Sequence, residues 1–156
     1  MKIPTFFKWL GLSAIVIALD LYTKYLVVGA FGYGEHLTVS GFFDLVRYHN
    51  EGAAFSFLAG AGGWQRFFFS GIALTASAVI IYLLRKHPTQ KLFCFALALI
   101  LGGALGNLYD RLTLGYVVDF LYFHYEQYYW PAFNLADSAI TCGVALLLID
   151  SFKKPR

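Results

Sequence analysis

The chain has 156 residues, enough for one domain over 1–156, yet only 13% are charged, 19% are aromatic and the mean hydropathy is +0.62. A soluble domain carries roughly 25% charged residues, and one of this length has too little interior to hide so much apolar surface, so most of it must face lipid. A net charge of +3 with no basic stripe excludes a nucleic-acid partner.

The first apolar stretch runs from about Phe6 to Val28. It is too long for the apolar region of a cleaved signal peptide, and Asp20 and Lys24 interrupt it, so it reads as a transmembrane helix. Asp20 and Lys24 stand four apart on one face, the acid first. They form either a structural pair that lets Lys24 snorkel outward or an anchor for a substrate or active-site loops. An outer β region follows over about 31–60. Within it, Glu35–Val39 and Phe43–His49 are rich in β-branched and aromatic residues with Ser40-Gly41 between them, the pattern of a hairpin or small sheet.

The second and third helices are expected over about 67–84 and 92–108. Around the end of the third, Gly102 and Gly106 permit close helix approach, and Asn107, Asp110 and Arg111 make a polar tip. Adjacent residues on a helix point apart, so Asp110 and Arg111 serve different neighbours. Between about 116 and 133, nine of eighteen residues are aromatic. Rings with polar edges favour the headgroup level, so this stretch is expected to lie along the outer surface as a short amphipathic segment.

The fourth helix spans about 135–152. Each of the four stretches suits a hydrocarbon core of ~30 Å at ~1.5 Å per helical residue, and Pro4, Pro88, Pro131 and Pro155 fall outside them. Cys94 and Cys142 each lie in an apolar stretch at different depths, as small buried hydrophobes that stay reduced.

Eight of the twelve Lys and Arg (Lys2, Lys8, Arg85, Lys86, Lys91, Lys153, Lys154 and Arg156) flank helix ends that share one side. That side is expected to be the cytoplasm, with both termini on it. The fold class is thus an all-α membrane protein, four transmembrane helices with a small extracytoplasmic β-sheet and the outer aromatic segment.

Two further acids sit at the outer edge. Asp119 lies in Val117-Val118-Asp119-Phe120, and Asp137 in the first turn of the fourth helix, eighteen residues on. If the aromatic segment folds back over the bundle, both reach one depth. Two close carboxyls in a poorly hydrated site share a proton, and one can activate water while the other supports the carbonyl oxygen and leaving group. A helix cap at Asp137 and a surface position for Asp119 is the competing account. Neither a His-Glu-x-x-His zinc motif nor a Gly-x-Ser-Gly pattern is present, so no metal or cofactor is expected. A small ion or proton transporter is the alternative function, but it would want polar groups through the membrane depth. A purely structural subunit would leave the polar boxes unexplained.

Those boxes, taken in order, resemble the lipoprotein signal peptidase family, the type II signal peptidases of bacteria. Asp20-Leu21-Tyr22-Thr23-Lys24 is similar to the family's Asp-x-x-Thr-Lys, although Leu21 and Tyr22 depart from the commoner glutamine-containing form. Asn50-Glu51-Gly52-Ala53-Ala54-Phe55 resembles its Asn-x-Gly-Ala-Ala-Phe box. Gly103 to Arg111, with Gly115 and Val118-Asp119-Phe120, resembles the third box, and Phe133-Asn134-Leu135-Ala136-Asp137 the fourth.

The resemblance implies an aspartic endopeptidase of the bacterial cytoplasmic (inner) membrane, active as a monomer among membrane lipids and working at the outer face. It would remove the signal peptide from diacylglyceryl-modified prolipoproteins just before the lipidated cysteine, without a cofactor. Asp119 and Asp137 match the catalytic pair. Asn50, Asn107, Asp110, Arg111 and Asn134 match residues around it, and Asp20 and Lys24 the helix 1 pair. The β region resembles the family's cradle and the aromatic stretch its mobile surface helix. Which aspartate holds the shared proton stays open, although the positive end of a helix at Asp137 favours an anion there and so points to Asp119.

Overall fold

Apolar runs free of internal proline become four helices, each long and apolar enough to cross a membrane. A computed structural model describes residues 4–52 and 62–153. The order is α1 (Thr5–Ala30), β1 (His36–Ser40), β2 (Phe43–Asn50), α2 (Gln65–Lys86), α3 (Lys91–Thr113), β3 (Val117–Tyr125), β4 (Tyr128–Tyr129) and α4 (Leu135–Lys153). Ala53-Ala54-Phe55 of the second box, and Lys2, Lys154 and Arg156 of the basic groups, lie outside the described residues.

The most deeply buried of the helices is α3, which packs against the other three. Small residues allow this. A Cβ on Gly102 would stand 2.6 Å from Val16 Cβ, and one on Gly106 would stand 2.5 Å from Asp20 Oδ2. Gly103 meets the backbone of Ala136 on α4, and a Cβ on Gly143 would lie 2.7 Å from the Ala96 carbonyl oxygen. Backbones this close leave room only for hydrogen at these positions, as expected where lipid supplies no hydrophobic drive between helices. On α1 the buried residues Ser13, Val16, Asp20, Lys24 and Val27 recur at steps of three and four, making one stripe toward α3. Ile15, Leu19, Tyr22 and Tyr25 are exposed on its other faces, where lipid is the solvent.

At the end away from the sheet, Ile80, Leu84, Phe93, Cys94, Leu97 and Leu101 form a core. There the Trp9 indole N–H donates to the Pro88 carbonyl at 3.0 Å, and the Arg85 guanidinium lies 5.3 Å from the Phe6 ring centroid. Lys8, Arg85, Lys86, Lys91 and Lys153 all belong to helix ends on this side. Both cysteines are free. Cys94 is fully buried as expected, but Cys142 faces outward from the bundle, which corrects its reading as a buried residue.

The four strands form one antiparallel sheet in the order β1-β2-β3-β4. The hairpin expected around Ser40-Gly41 is present as β1 and β2. The stretch over 116–133 is different from the surface helix that the resemblance implied: most of it is β3 and β4. Aromatic side chains have strong strand preference and stack across the ladder. Phe43 stacks on its register partner Phe123 at 4.7 Å, Phe123 on Phe133 at 5.9 Å, and Tyr122 on Tyr129 at 5.5 Å. Residues Val117 to Phe120 are buried consecutively, where β3 leaves the helix bundle, so this strand is anchored in the protein rather than floating on lipid.

The helix limits widen by one or two residues, except at α3, which continues past the expected Leu108 to Thr113. Apolarity ends before the helix does. It stops where Gly115 takes φ +87°, a left-handed conformation that suits glycine, with its N–H on the Asp110 carbonyl. Asn107, Asp110 and Arg111 are therefore held on a continuous helix.

Candidate active site

Asn134 ends the approach to α4 and caps it. Its side-chain Oδ1 accepts from the Asp137 backbone N–H at 2.9 Å, and Asp137 Oδ2 accepts in return from the Asn134 N–H at 3.2 Å. This is the reciprocal capping box that an Asn-x-x-Asp sequence can make. The cap expected as the bland role for Asp137 is thus present, and it does not compete with the other role, because it fixes where the carboxyl points. Asp137 Oδ1 accepts from Asn107 Nδ2 at 2.7 Å, across from α3.

The same Asn134 reaches the other acid. Its Nδ2 donates to Asp119 Oδ1 at 2.8 Å, and Asp119 Oδ2 accepts from Asn50 Nδ2 at 3.0 Å. Antiparallel pairing brings Asn50 there, since β2 ends beside the start of β3. Asn134 therefore ties together two carboxyls that lie eighteen residues apart, its side-chain amide donating to Asp119 and its backbone N–H to Asp137. Asp119 is only 3% exposed, whereas Asp137 is half-buried.

Burial is the main cause that drives the Asp119 carboxyl up to about 7, with the Asp137 charge adding to it. The donors Asn50 and Asn134, and the Lys24 charge, pull in the other direction without cancelling it. The folded chain therefore keeps a proton that the unfolded chain loses above about 3.8, so stability from this group falls as pH rises from there to about 7.

Beneath the pair lies a buried charged layer. Lys24 is 3% exposed and does not snorkel. Its three ammonium donors meet Asp20 Oδ2 at 2.7 Å, Asp110 Oδ2 at 3.0 Å and Asn107 Oδ1 at 3.0 Å. The acids pass this on to backbone. Asp20 Oδ1 accepts from the Ala136 N–H at 2.9 Å, and Asp110 Oδ2 accepts from the Val118 N–H at 3.2 Å. The segments bearing Asp119 and Asp137 are thus each held one residue away from their carboxylates. Arg111, as expected of a neighbour pointing elsewhere, serves a different element: its Nη2 donates to the Gly52 carbonyl at 3.0 Å, and its guanidinium lies 5.3 Å from the Phe69 centroid.

All nine residues singled out in the sequence (Asp20, Lys24, Asn50, Asn107, Asp110, Arg111, Asp119, Asn134 and Asp137) meet at the sheet end of the bundle. Sequence inspection missed Arg47, whose Nη1 donates to the Phe31 carbonyl at 2.9 Å and so fastens β2 to the chain leaving α1. Nothing in its spacing marks that role. It also missed the contribution of the Val118 and Ala136 amides, which carry no side-chain signature.

Four membrane-length helices, with a sheet and a carboxyl pair at one end, define a multi-pass membrane protein of hydrolytic type. The family model for signal peptidase (SPase) II matches residues 12–153, and the chain belongs to that family. It is a membrane peptidase. A lipoprotein signal peptidase of Ralstonia nicotianae is 58% identical over 95% of this chain and 86% of its own length. One from Paraburkholderia phymatum is 55% identical over 95% and 89%. Among solved structures, a bacterial membrane enzyme determined by the in meso method superposes with a TM-score of 0.83 at 31% identity, covering 94% of this chain and 88% of that one.

Proposed function

We propose that the protein is an aspartic endopeptidase of the bacterial cytoplasmic membrane. It removes the signal peptide from diacylglyceryl-modified prolipoproteins, cutting just before the lipidated cysteine, with Asp119 and Asp137 as the catalytic pair. The observation that carries this reading is the Asn134 bridge, which holds one buried and one accessible carboxyl in a single polar site. The relatives named lipoprotein signal peptidase support the substrate class.

Asp137, at the positive end of α4, acts as the base. It takes a proton from a water whose oxygen bonds to the scissile carbonyl carbon. Asp119 gives its proton to the carbonyl oxygen. Asp137 then passes the proton taken from water to the cysteine nitrogen as the C–N bond breaks, and Asp119 takes a proton back from a hydroxyl of the tetrahedral carbon as the new carboxyl forms. The signal peptide leaves with a free carboxyl and the lipoprotein with a free amino terminus. Lys24 and the acids beside it act as positioning residues, through the amides at 118 and 136. A transporter finds no support among the relatives. Buried charge also gathers at the sheet end among the described residues, with Asp150 on α4 the exception.

Purified protein in detergent should cleave a prolipopeptide carrying diacylglycerol and leave the unlipidated peptide intact. Equal cleavage of both would overturn the lipid requirement, and cleavage of neither would overturn the function. In this reading the sheet end faces outward from the cytoplasmic membrane and both termini lie inside, as the basic residues at the opposite helix ends support. An impermeant thiol reagent applied to intact cells should label Glu126→Cys and spare His87→Cys. The reverse pattern would invert the orientation.

A further inference from the structure

Side chains alternate between the two faces of a strand, and residues directly opposite across a ladder share a face. Near the end of β2 the register pairs Tyr48 with Asp119, His49 with Val118 and Asn50 with Val117. Asn50 and Asp119 therefore lie diagonally on one face, where the 3.0 Å hydrogen bond joins them. His49 and Val118 belong to the other face, toward the cluster that Val118 makes with Val27 of α1.

On that second face three rings from three chain segments come together. The His49 imidazole stacks on the Tyr116 ring, 3.8 Å between centroids and 17° between planes, and Tyr33 adds a third ring 4.5 Å from the imidazole. The turn that carries Tyr33 is itself fixed to β2, since the Gly34 N–H donates to the Arg47 carbonyl at 2.9 Å. His49 Nε2 is buried with no hydrogen-bond partner among the described residues, so the imidazole serves here as a flat ring. Burial first, and the Arg47 charge second, push its pKa below the ordinary value, against the opposing Glu51 charge. The stack is thus built on a neutral ring at neutral pH.

The stack stands where the ladder is weakest. Among the described residues the β2–β3 pairing ends with Asn50 and Val117, and strand ends open most easily. The Asn50 side chain is oriented by the Gly52 N–H, which donates to its Oδ1 at 3.0 Å and leaves Nδ2 for Asp119. His49 precedes Asn50, and Tyr116 precedes Val117, so stacking their rings clamps this last pair.

We infer that His49 is a positioning residue of the reaction: its ring stack on one face of the sheet holds the end of β2, so that Asn50 presents its amide to Asp119 on the other. The inference rests on the roles proposed above for Asp119 and Asp137. The Asn50 hydrogen bond favours the charged form of Asp119 and lowers its pKa. Loosening that bond lets Asp119 keep its proton to higher pH, so the pH at which cleavage falls off on the alkaline side moves up.

Single-turnover cleavage of a lipidated prolipopeptide by the intact protein in detergent, followed across pH, tests this. His49→Ala should cut the rate about tenfold, the contribution of one hydrogen bond. It should also raise the alkaline fall-off by roughly half to one pH unit. His49→Phe keeps a flat ring against Tyr116 and should restore both to the wild-type values. Asn50→Ala should raise the fall-off as His49→Ala does, and combining the two should lower the rate less than about twofold further, because they act through one bond. Tyr33→Ala, at a position 70% exposed, removes one ring without threatening the fold and should move the fall-off in the same direction. It decides the matter if His49→Ala does not fold. A loss in His49→Phe as large as in His49→Ala would overturn the inference, by giving the imidazole a polar role. So would an undiminished effect of His49→Ala in the Asn50→Ala background, or an unmoved fall-off in folded His49→Ala or Tyr33→Ala. Absence of cleavage by the unaltered protein would instead count against the proposed function itself.

Discussion

Asp119→Asn and Asp137→Asn should each lower cleavage of a lipidated prolipopeptide by roughly 10²- to 10⁴-fold, the range that a positioned acid or base supplies. Asparagine keeps the size of the side chain and removes its titration. Helix packing through Gly102, Gly103 and Gly106 does not touch either carboxyl, so both variants should insert and keep their thermal transitions. The double variant should be little worse than either single one, because the reaction needs one carboxyl to take a proton while the other gives one. Multiplied losses would mean two independent roles and would break the account of a shared site. Near wild-type cleavage by either single variant would remove that residue from the chemistry.

Lys24→Met should be the most damaging substitution for the fold itself. It leaves Asp20 and Asp110, both nearly inaccessible, without the cation that faces them at 2.7 and 3.0 Å. Breaking a buried pair by removing one partner costs about 3–5 kcal/mol. In a chain of this length that corresponds to a fall in Tm of roughly 10 °C or more. The loss should spread to activity, since the two acids hold the Ala136 and Val118 amides beside Asp137 and Asp119. Lys86→Met, at an exposed helix end, is the control and should change neither property. A Lys24→Met protein with wild-type Tm and turnover would show that the charged layer is dispensable.

The four spans were legible because twenty or so apolar residues without proline have no other use than crossing lipid. A cap at Asp137 was legible too, since it stands in the first turn of α4, whereas the return bond from Asn134 was not read from the sequence. The pairing of Asp119 with Asp137 was not. Eighteen residues of separation carry no distance information: folding back of the segment was a condition that the sequence could state and not decide, the resemblance implied it, and β3 meets it by pairing with Phe133 at the approach to α4. The aromatic stretch was misassigned for a physical reason: Tyr122, Phe123 and Tyr129 suit the headgroup level and a strand equally well, and cross-strand stacking decided for the strand. At α3 the apolar run marked the edge of the hydrocarbon, whereas the left-handed Gly115 marked the end of the helix. Lys24 could have snorkelled on an isolated α1. It is retained inside because Asn107 and Asp110 approach from α3, across glycines that let the helices close in.

The pH dependence of cleavage by the unaltered protein asks most directly whether one shared proton runs the reaction. With saturating lipidated peptide in detergent, the single-turnover rate should rise and then fall with pH. The two limbs belong to the pair as a unit, the acid one arising as it takes up its second proton. The alkaline limb should set in near the value of about 7 to which burial and the Asp137 charge raise Asp119, because the proton needed by the carbonyl oxygen is lost there. A rate that stays level from about pH 5 to about pH 9, well across the range where such a pair must change its charge, would contradict the carboxyl-pair mechanism.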